Sequence, residues 1–252
     1  MNYIPEPDSD ARVLPLIFLV DTSGSMTNRL EENGQKIDER RIDVVNANMR
    51  KLFNELGRCS SATVEYDVCI ISFGTEAQCI LDLCAAEQAQ WQDLSADGQT
   101  NLAQALNMAK GIIEDRHNFP VNSYYPTVVL VSDGAPYPED QGWEKALEDF
   151  CTTGRTAKCD RFAMGIGSGT NVEMLRRFIN QDQDPATRLN NAQNAKDIIE
   201  FFRYVTVHSQ TKAKTGVSPA QRDLPAASSS KVKKPFSISE PSAAPRKKNP
   251  FM

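Results

Sequence analysis

The spacing of apolar positions changes several times along the chain, and each change marks an element. Residues 13–20 (VLPLIFLV) form an unbroken apolar run of strand length that stops at Asp-Thr-Ser-Gly-Ser. A run of this kind reads as a strand covered on both faces, as in a parallel sheet. Residues 127–132 (TVVLVS) repeat the pattern and stop at Asp-Gly. Over residues 40–56, Ile42, Val45, Met49, Leu52, Phe53 and Leu56 recur at helical spacing, with Gly57 as a stop signal. Residues 64–73 and 78–83 read as two strands folded about Gly74-Thr75 into a hairpin. Residues 101–114 read as a helix with Leu102, Leu106, Ala109 and Ile113 on one face, opened by Thr100 or Asn101 as N-cap. Residues 143–153, 172–180 and 195–207 are predicted helices and 161–166 a strand. Strands alternating with helices in this order predict an α/β fold: a doubly wound, mostly parallel sheet with one antiparallel edge strand and helices on both faces.

Beyond residue 208 the pattern stops. That stretch holds six Pro, eight Ser and six Ala, and its few large hydrophobes are too sparse to offset the entropy of ordering, so it is expected to be disordered. The predicted organisation is an arm over 1–11, a domain over 12–208 and a basic tail over 209–252. Nine Lys/Arg against Asp223 and Glu240 give the tail +7, so the rest of a chain of net charge −5 carries −12. An acidic body argues against nucleic acid as a partner. The longest strongly apolar run is far shorter than the roughly 20 residues that span a bilayer, so no membrane association is expected. The acidic, Pro-containing start does not resemble a secretory signal, and the expected location is cytoplasmic. Six scattered cysteines without a C-x-x-C pair, accompanied by only two histidines, read as buried free thiols and not as a zinc site.

Open parallel sheets bind ligands at the carboxyl ends of their strands. The first apolar strand delivers Asp21, Ser23 and Ser25 there, the second delivers Asp133, and a Gly-containing turn sets Thr100 at the mouth of a helix. These are hard oxygen donors without imidazole or thiolate, suited to Mg²⁺ or Mn²⁺, and they leave room in an octahedral shell for one outside ligand.

The D-x-S-x-S run at Asp21, Ser23 and Ser25, followed by Thr100 and Asp133, resembles the von Willebrand factor A domain with its metal-ion-dependent adhesion site. The resemblance covers residues 12–208. It implies that Ser23, Ser25 and Thr100 contact the metal, that Asp21 and Asp133 bind it directly or through water, and that a partner protein's Asp or Glu completes the shell. Within that superfamily LPLIFLVDTSGSM, GQTNLAQAL and VVLVSDGAP are similar to the bacterial TerY-type proteins of tellurite resistance and stress. That likeness implies a protein kinase and a PP2C-type phosphatase as partners. The charged segment 27–39 is longer than the direct step from metal loop to helix expected in this group and should lie on the rim of the site, and the tail lacks the Cys-rich end of some relatives.

Other chemistries fit less well. A phosphatase using Asp21 as nucleophile needs a second Asp two positions on, where Ser23 stands. There is no G-x-S-x-G and no P-loop, while His117 and His208 read as solvated or helix-end histidines without a paired carboxylate. Gly165, Gly167 and Gly169 have the spacing of a sharp strand-to-helix turn and not of a dinucleotide site. Trp91 and Trp143 are expected to be partly buried beside the sheet. In the tail, Lys233-Lys234-Pro235-Phe236 recurs approximately as Lys247-Lys248-Asn249-Pro250-Phe251, a candidate repeated docking element with Phe for a groove and lysines for an acidic rim. The expected function is a non-enzymatic, Mg²⁺-dependent protein-binding module; the alternative is an adaptor of a MoxR or chelatase-type AAA+ ATPase.

Overall fold

A computed structural model of the chain describes residues 12–32, 35–60, 64–119, 123–134, 136, 142–167, 169–180, 185–192 and 195–215. The arm over 1–11 and the paired Lys-Pro-Phe elements, Lys233 to Phe236 and Lys247 to Phe251, lie outside the described residues.

The apolar run becomes β1 (Arg12–Asp21), which is central because it is buried on both faces. Leu14, Leu16, Phe18 and Val20 enter one core cluster, while Ile17 and Leu19 enter the other. A strand with period 2 in its side chains can supply two cores only if every position is apolar. β1 pairs in parallel with β4 (Val64–Phe73) on one side and β6 (Thr127–Ser132) on the other. The sheet continues through β7 (Asp160–Ile166) to β8 (Leu189–Ala192), both parallel. On the far edge β5 (Ala77–Ala85) runs antiparallel to β4, giving the order β5-β4-β1-β6-β7-β8. The doubly wound, mostly parallel sheet with one antiparallel edge strand is therefore present.

One face is covered by α1 (Arg41–Cys59) and α6 (Ala195–Thr215), which meet β1 through Phe53, Leu56, Phe202 and Val205. The other carries α2 (Leu102–Glu114), α3 (Trp143–Thr152) and α4 (Val172–Phe178), with Leu106, Phe150 and Phe178 at its centre. Asn101 is the N-cap of α2, its side chain accepting from Gln104 N at 3.1 Å. Trp91 and Trp143 are partly buried, as expected.

Several expectations need correction. α1 does not stop at Gly57 but passes through it; glycine suits the position because a side chain there would press on the turn at Glu87, whose Cα is 3.3 Å from the ideal Cβ. The charged segment 27–39, to which the pattern assigned no element, holds regular structure: a 3₁₀ turn over Gly24–Thr27 leads into a separate two-stranded antiparallel sheet, β2 (Arg29–Glu32) and β3 (Gln35–Arg40). β8 and the short α5 (Pro185–Arg188) carry too few apolar residues to have been seen in the pattern.

The boundary at 208 also moves. α6 runs to Thr215, with His208, Ser209 and Lys212 buried, so the first seven residues of the expected disordered tail belong to the domain. Lys212 is buried because its Nζ lies 2.6 Å from Asp160 Oδ2 and donates to Tyr125 O at 2.8 Å. His208 is not a solvated histidine: it is 3% exposed, 3.8 Å from the same carboxylate and edge-on to Phe162. Burial pushes its pKa down against the pull of Asp160. His117 is exposed as expected, yet it too has a carboxylate neighbour, Asp115 Oδ1 at 2.8 Å. Of the cysteines, Cys69 and Cys159 are buried, whereas Cys79, Cys84 and Cys151 are only half-buried; all five are free thiols.

Candidate functional site

The site forms where β1 and β6 end side by side. β1 terminates at Asp21, and Thr22 N still donates to Phe73 O at 2.8 Å, so the chain leaves the sheet only at Ser23. Asp21 is wholly buried and accepts twice: from Ser23 N at 2.8 Å on Oδ1 and from Ser132 Oγ at 2.6 Å on Oδ2. Burial, and after it the neighbouring Asp133 carboxylate, push its pKa up to about 6, opposed by the bonds from Ser132 and Ser23.

The Gly24–Thr27 turn brings the next two hydroxyls together. Ser23 Oγ and Ser25 Oγ are 3.0 Å apart, and Ser25 Oγ donates to Asp133 Oδ1 at 2.6 Å, across 108 positions of sequence. The loop carrying Thr100 is bonded to the same turn: Asp97 N donates to Thr22 O at 2.8 Å, Gly24 N to Gly98 O at 3.0 Å, and Asn101 N to Gly74 O at 2.9 Å. Gly98 holds φ +79, and a side chain there would collide with Thr75, so the loop closes only with glycine at this position. Thr100 is buried in the loop so fixed. The structure thus brings Asp21, Ser23, Ser25 and Asp133 into one bonded chain and holds Thr100 on the adjoining loop.

Two participants were not legible as such in the sequence. Ser132, the last residue of β6, orients Asp21. Arg41, the first residue of α1, donates from Nη1 to Asp133 Oδ2 at 2.6 Å, with Asp133 fully buried. Nineteen residues of turn and hairpin lie between Asp21 and Arg41 in the chain, and no spacing rule links Arg41 to Asp133. Beside the site, an open cleft of about 480 Å³ is bordered by Thr22, Gly74, Thr75, Asp97 and Gly98.

The donor set suits a small hard cation. Two hydroxyl oxygens 3.0 Å apart match the cis edge of an octahedron with metal–oxygen distances near 2.1 Å. Because Ser25 spends its only proton on Asp133, its lone pairs are left to accept or coordinate. Among the described residues no group of three or more His, Cys, Asp or Glu converges in the manner of a metal centre. Any cation here would rest on two carboxylates and neutral hydroxyls, a low ligand charge that makes for modest affinity.

Residues 16–135, the stretch that contains Asp21, Ser23, Ser25, Thr100 and Asp133, match the family model of the von Willebrand factor type A domain. Among solved structures it is similar to a von Willebrand factor type A protein from Catenulispora acidiphila, at 18% identity and TM-score 0.53, covering 79% of this chain and 43% of that one. It is also similar to proximal thread matrix protein 1 from the mussel byssus, solved with a zinc-occupied MIDAS motif, at 14% identity and TM-score 0.54, covering 81% and 46%. A third is the PilB minor pilin from Streptococcus sanguinis, at 13% identity and TM-score 0.57, covering 83% and 64%. The chain spans less than two thirds of each of these neighbours, and the likeness at such identities is one of fold. No curated protein sequence matches the chain. No helix among the described residues is long and apolar enough to cross a membrane.

Proposed function

We propose that this chain is a non-enzymatic protein-binding module. Ser23, Ser25 and Thr100, with Asp21 and Asp133, hold a divalent cation, Mg²⁺ or Mn²⁺, and an Asp or Glu of a partner protein docks on it as the outside ligand. The bonded chain Ser23–Ser25–Asp133 at the ends of two neighbouring strands carries this reading, because it gathers oxygen donors at cis spacing from positions 108 residues apart. When bound, the cation supplies a point of positive charge for the partner carboxylate. Ser132 and Ser23 N hold Asp21, and Ser25 and Arg41 hold Asp133, so both carboxylates are oriented beforehand. The zinc-occupied motif of the mussel protein supports a divalent ion in this fold; the all-oxygen set here favours a harder one.

The same atoms weigh against a phosphatase reading. Ser23 stands where such an enzyme needs its second Asp, and Asp21 is wholly buried and held in place by Ser23 N and Ser132 Oγ. The partner class follows from the TerY-type likeness of the strand-end segments: a cytoplasmic stress-signalling assembly of a protein kinase and a PP2C-type phosphatase. The test is a pull-down with the full chain and a Ser23→Ala/Ser25→Ala variant, each in Mg²⁺ and in EDTA, with partners identified by mass spectrometry. A kinase or phosphatase retained only by wild type in Mg²⁺ is the expected result. An AAA+ ATPase retained in that way would reassign the partner, and equal retention in all four conditions would refute recognition through the site.

A further inference from the structure

Arg41 reaches the site by a specific route. The chain leaves the Gly24–Thr27 turn at Asn28, makes the β2–β3 hairpin and returns to its starting point: Arg29 lies opposite Arg40, and Arg41 N donates to Asn28 O at 3.0 Å. The hairpin therefore costs the site nothing in geometry while planting an arginine at its base, next to Asp133. The Arg41 side chain is 13% exposed, and its Nη1 sits on Asp133 Oδ2 while Oδ1 accepts from Ser25.

The guanidinium also has a built seat. Gly167, in the turn after β7, holds φ +86, and a Cβ there would lie 2.7 Å from Arg41 Cζ. Gly167 thus has a second use besides turning the chain: without a side chain it leaves room for the largely buried Arg41 guanidinium beside the site.

The charge arithmetic then decides what Arg41 does. Asp21 and Asp133 bring two negative charges and Arg41 one positive, so the protein side of the site is singly negative. With a divalent ion it becomes singly positive; without Arg41 it would be neutral. Resting on the metal-dependent reading above, we propose that Arg41 is a resident cation of the site. It weakens the hold on the divalent ion and leaves the ion-bound site with an excess positive charge that selects an anionic ligand. A unit charge on the second oxygen of a ligating carboxylate lies within a few ångströms of anything that ligand holds, close enough to shift divalent affinity at least about tenfold even with substantial screening. The same charge strengthens the attraction for the partner's carboxylate, so metal affinity is exchanged for anion affinity.

The test is Mn²⁺ binding to the full chain, read from the electron paramagnetic resonance signal of the free ion, with Mg²⁺ as competitor. Wild type, Arg41→Gln, Arg41→Lys and Ser25→Ala are compared, with circular dichroism in EDTA to check that each is folded. The expected result is Mn²⁺ binding about tenfold tighter in Arg41→Gln, close to wild type in Arg41→Lys, and lost in Ser25→Ala. A role confined to positioning Asp133 gives the opposite sign. Unchanged or weaker binding in Arg41→Gln, with wild type binding and Ser25→Ala not, would overturn the proposal and leave the metal site standing. Absence of Mn²⁺ binding in both wild type and Arg41→Gln would overturn the metal site itself, and this proposal with it.

Discussion

The substitution Asp160→Asn puts the unexpected end of the domain to a quantitative test. Asp160 opens β7, the strand next to the β8 edge of the sheet, and its carboxylate faces Lys212 Nζ at 2.6 Å, Arg188 Nη2 at 3.1 Å and His208 Nε2 at 3.8 Å. Arg188 is 1% exposed and Lys212 is buried, so neither can turn to water when the carboxylate is neutralised. Removing one partner of a buried ion pair costs about 3–5 kcal/mol, because the remaining charge stays desolvated. The two cation contacts share one carboxylate and are not additive, so the whole effect should fall in that range. For a domain of this size that is a fall in Tm of roughly 10 °C. The assay is calorimetric or circular-dichroism melting of wild type and variant in EDTA at several pH values.

The pH dependence gives the prediction a second edge. Burial raises the Asp160 pKa, but the His208 bond and the Lys212 and Arg188 charges outweigh it and hold the carboxyl well below the usual range. A carboxyl depressed in the folded state contributes fully above its unfolded value near 3.8 and loses that contribution as pH falls below it. The part of the gap between wild type and Asp160→Asn that comes from this carboxylate should therefore close progressively below about pH 4. A Tm change under about 2 °C at pH 7, or a gap that does not close below about pH 4, would refute the argument.

Other expectations follow from the same contacts. Chains ending at Thr215 should melt as the full chain does, whereas chains ending at His208 lose the Lys212 bonds and buried Ser209, and should melt several degrees lower by the same assay. Asp67 is raised to about 6 by burial and by Glu65, so stability is lost as pH rises from the unfolded value of 3.8 through about 6; Asp67→Asn should add about 1–2 kcal/mol at pH 7 and little at pH 4 in urea titrations. Gly167→Ala forces a side chain into the left-handed region and onto Arg41, and should cost about 1–3 kcal/mol in urea while loosening the Arg41 contact with Asp133.

The sequence by itself determined the central sheet and the donor set. An apolar run admits a strand buried on both faces, and a helical stripe such as Leu102 to Ile113 admits one buried face, because periodicity is a local property of side chains on a backbone. Asp21, Ser23 and Ser25 were visible because they are contiguous and end such a run, and Thr100 and Asp133 because each ends or begins an element of the same kind. Gly57 misled because a stop signal competes with packing, and here the close approach of the Glu87 turn favours glycine inside a continuing helix.

Only the tertiary structure decided the rest, since it depends on pairs with no sequence relation. Ser209 and Lys212 have the composition of a tail, yet Asp160, some fifty residues earlier, gives Lys212 a buried counter-charge that no window of local sequence contains. β8 is short and polar and is a strand because the edge of β7 offers it a hydrogen-bonding partner. Arg41 lies near the metal-type donors because a hairpin returns to its own base and a glycine in another crossover leaves room for a guanidinium. Long-range charge and space are properties of the folded surface, and they set how strongly the site that the sequence spells out holds its ion.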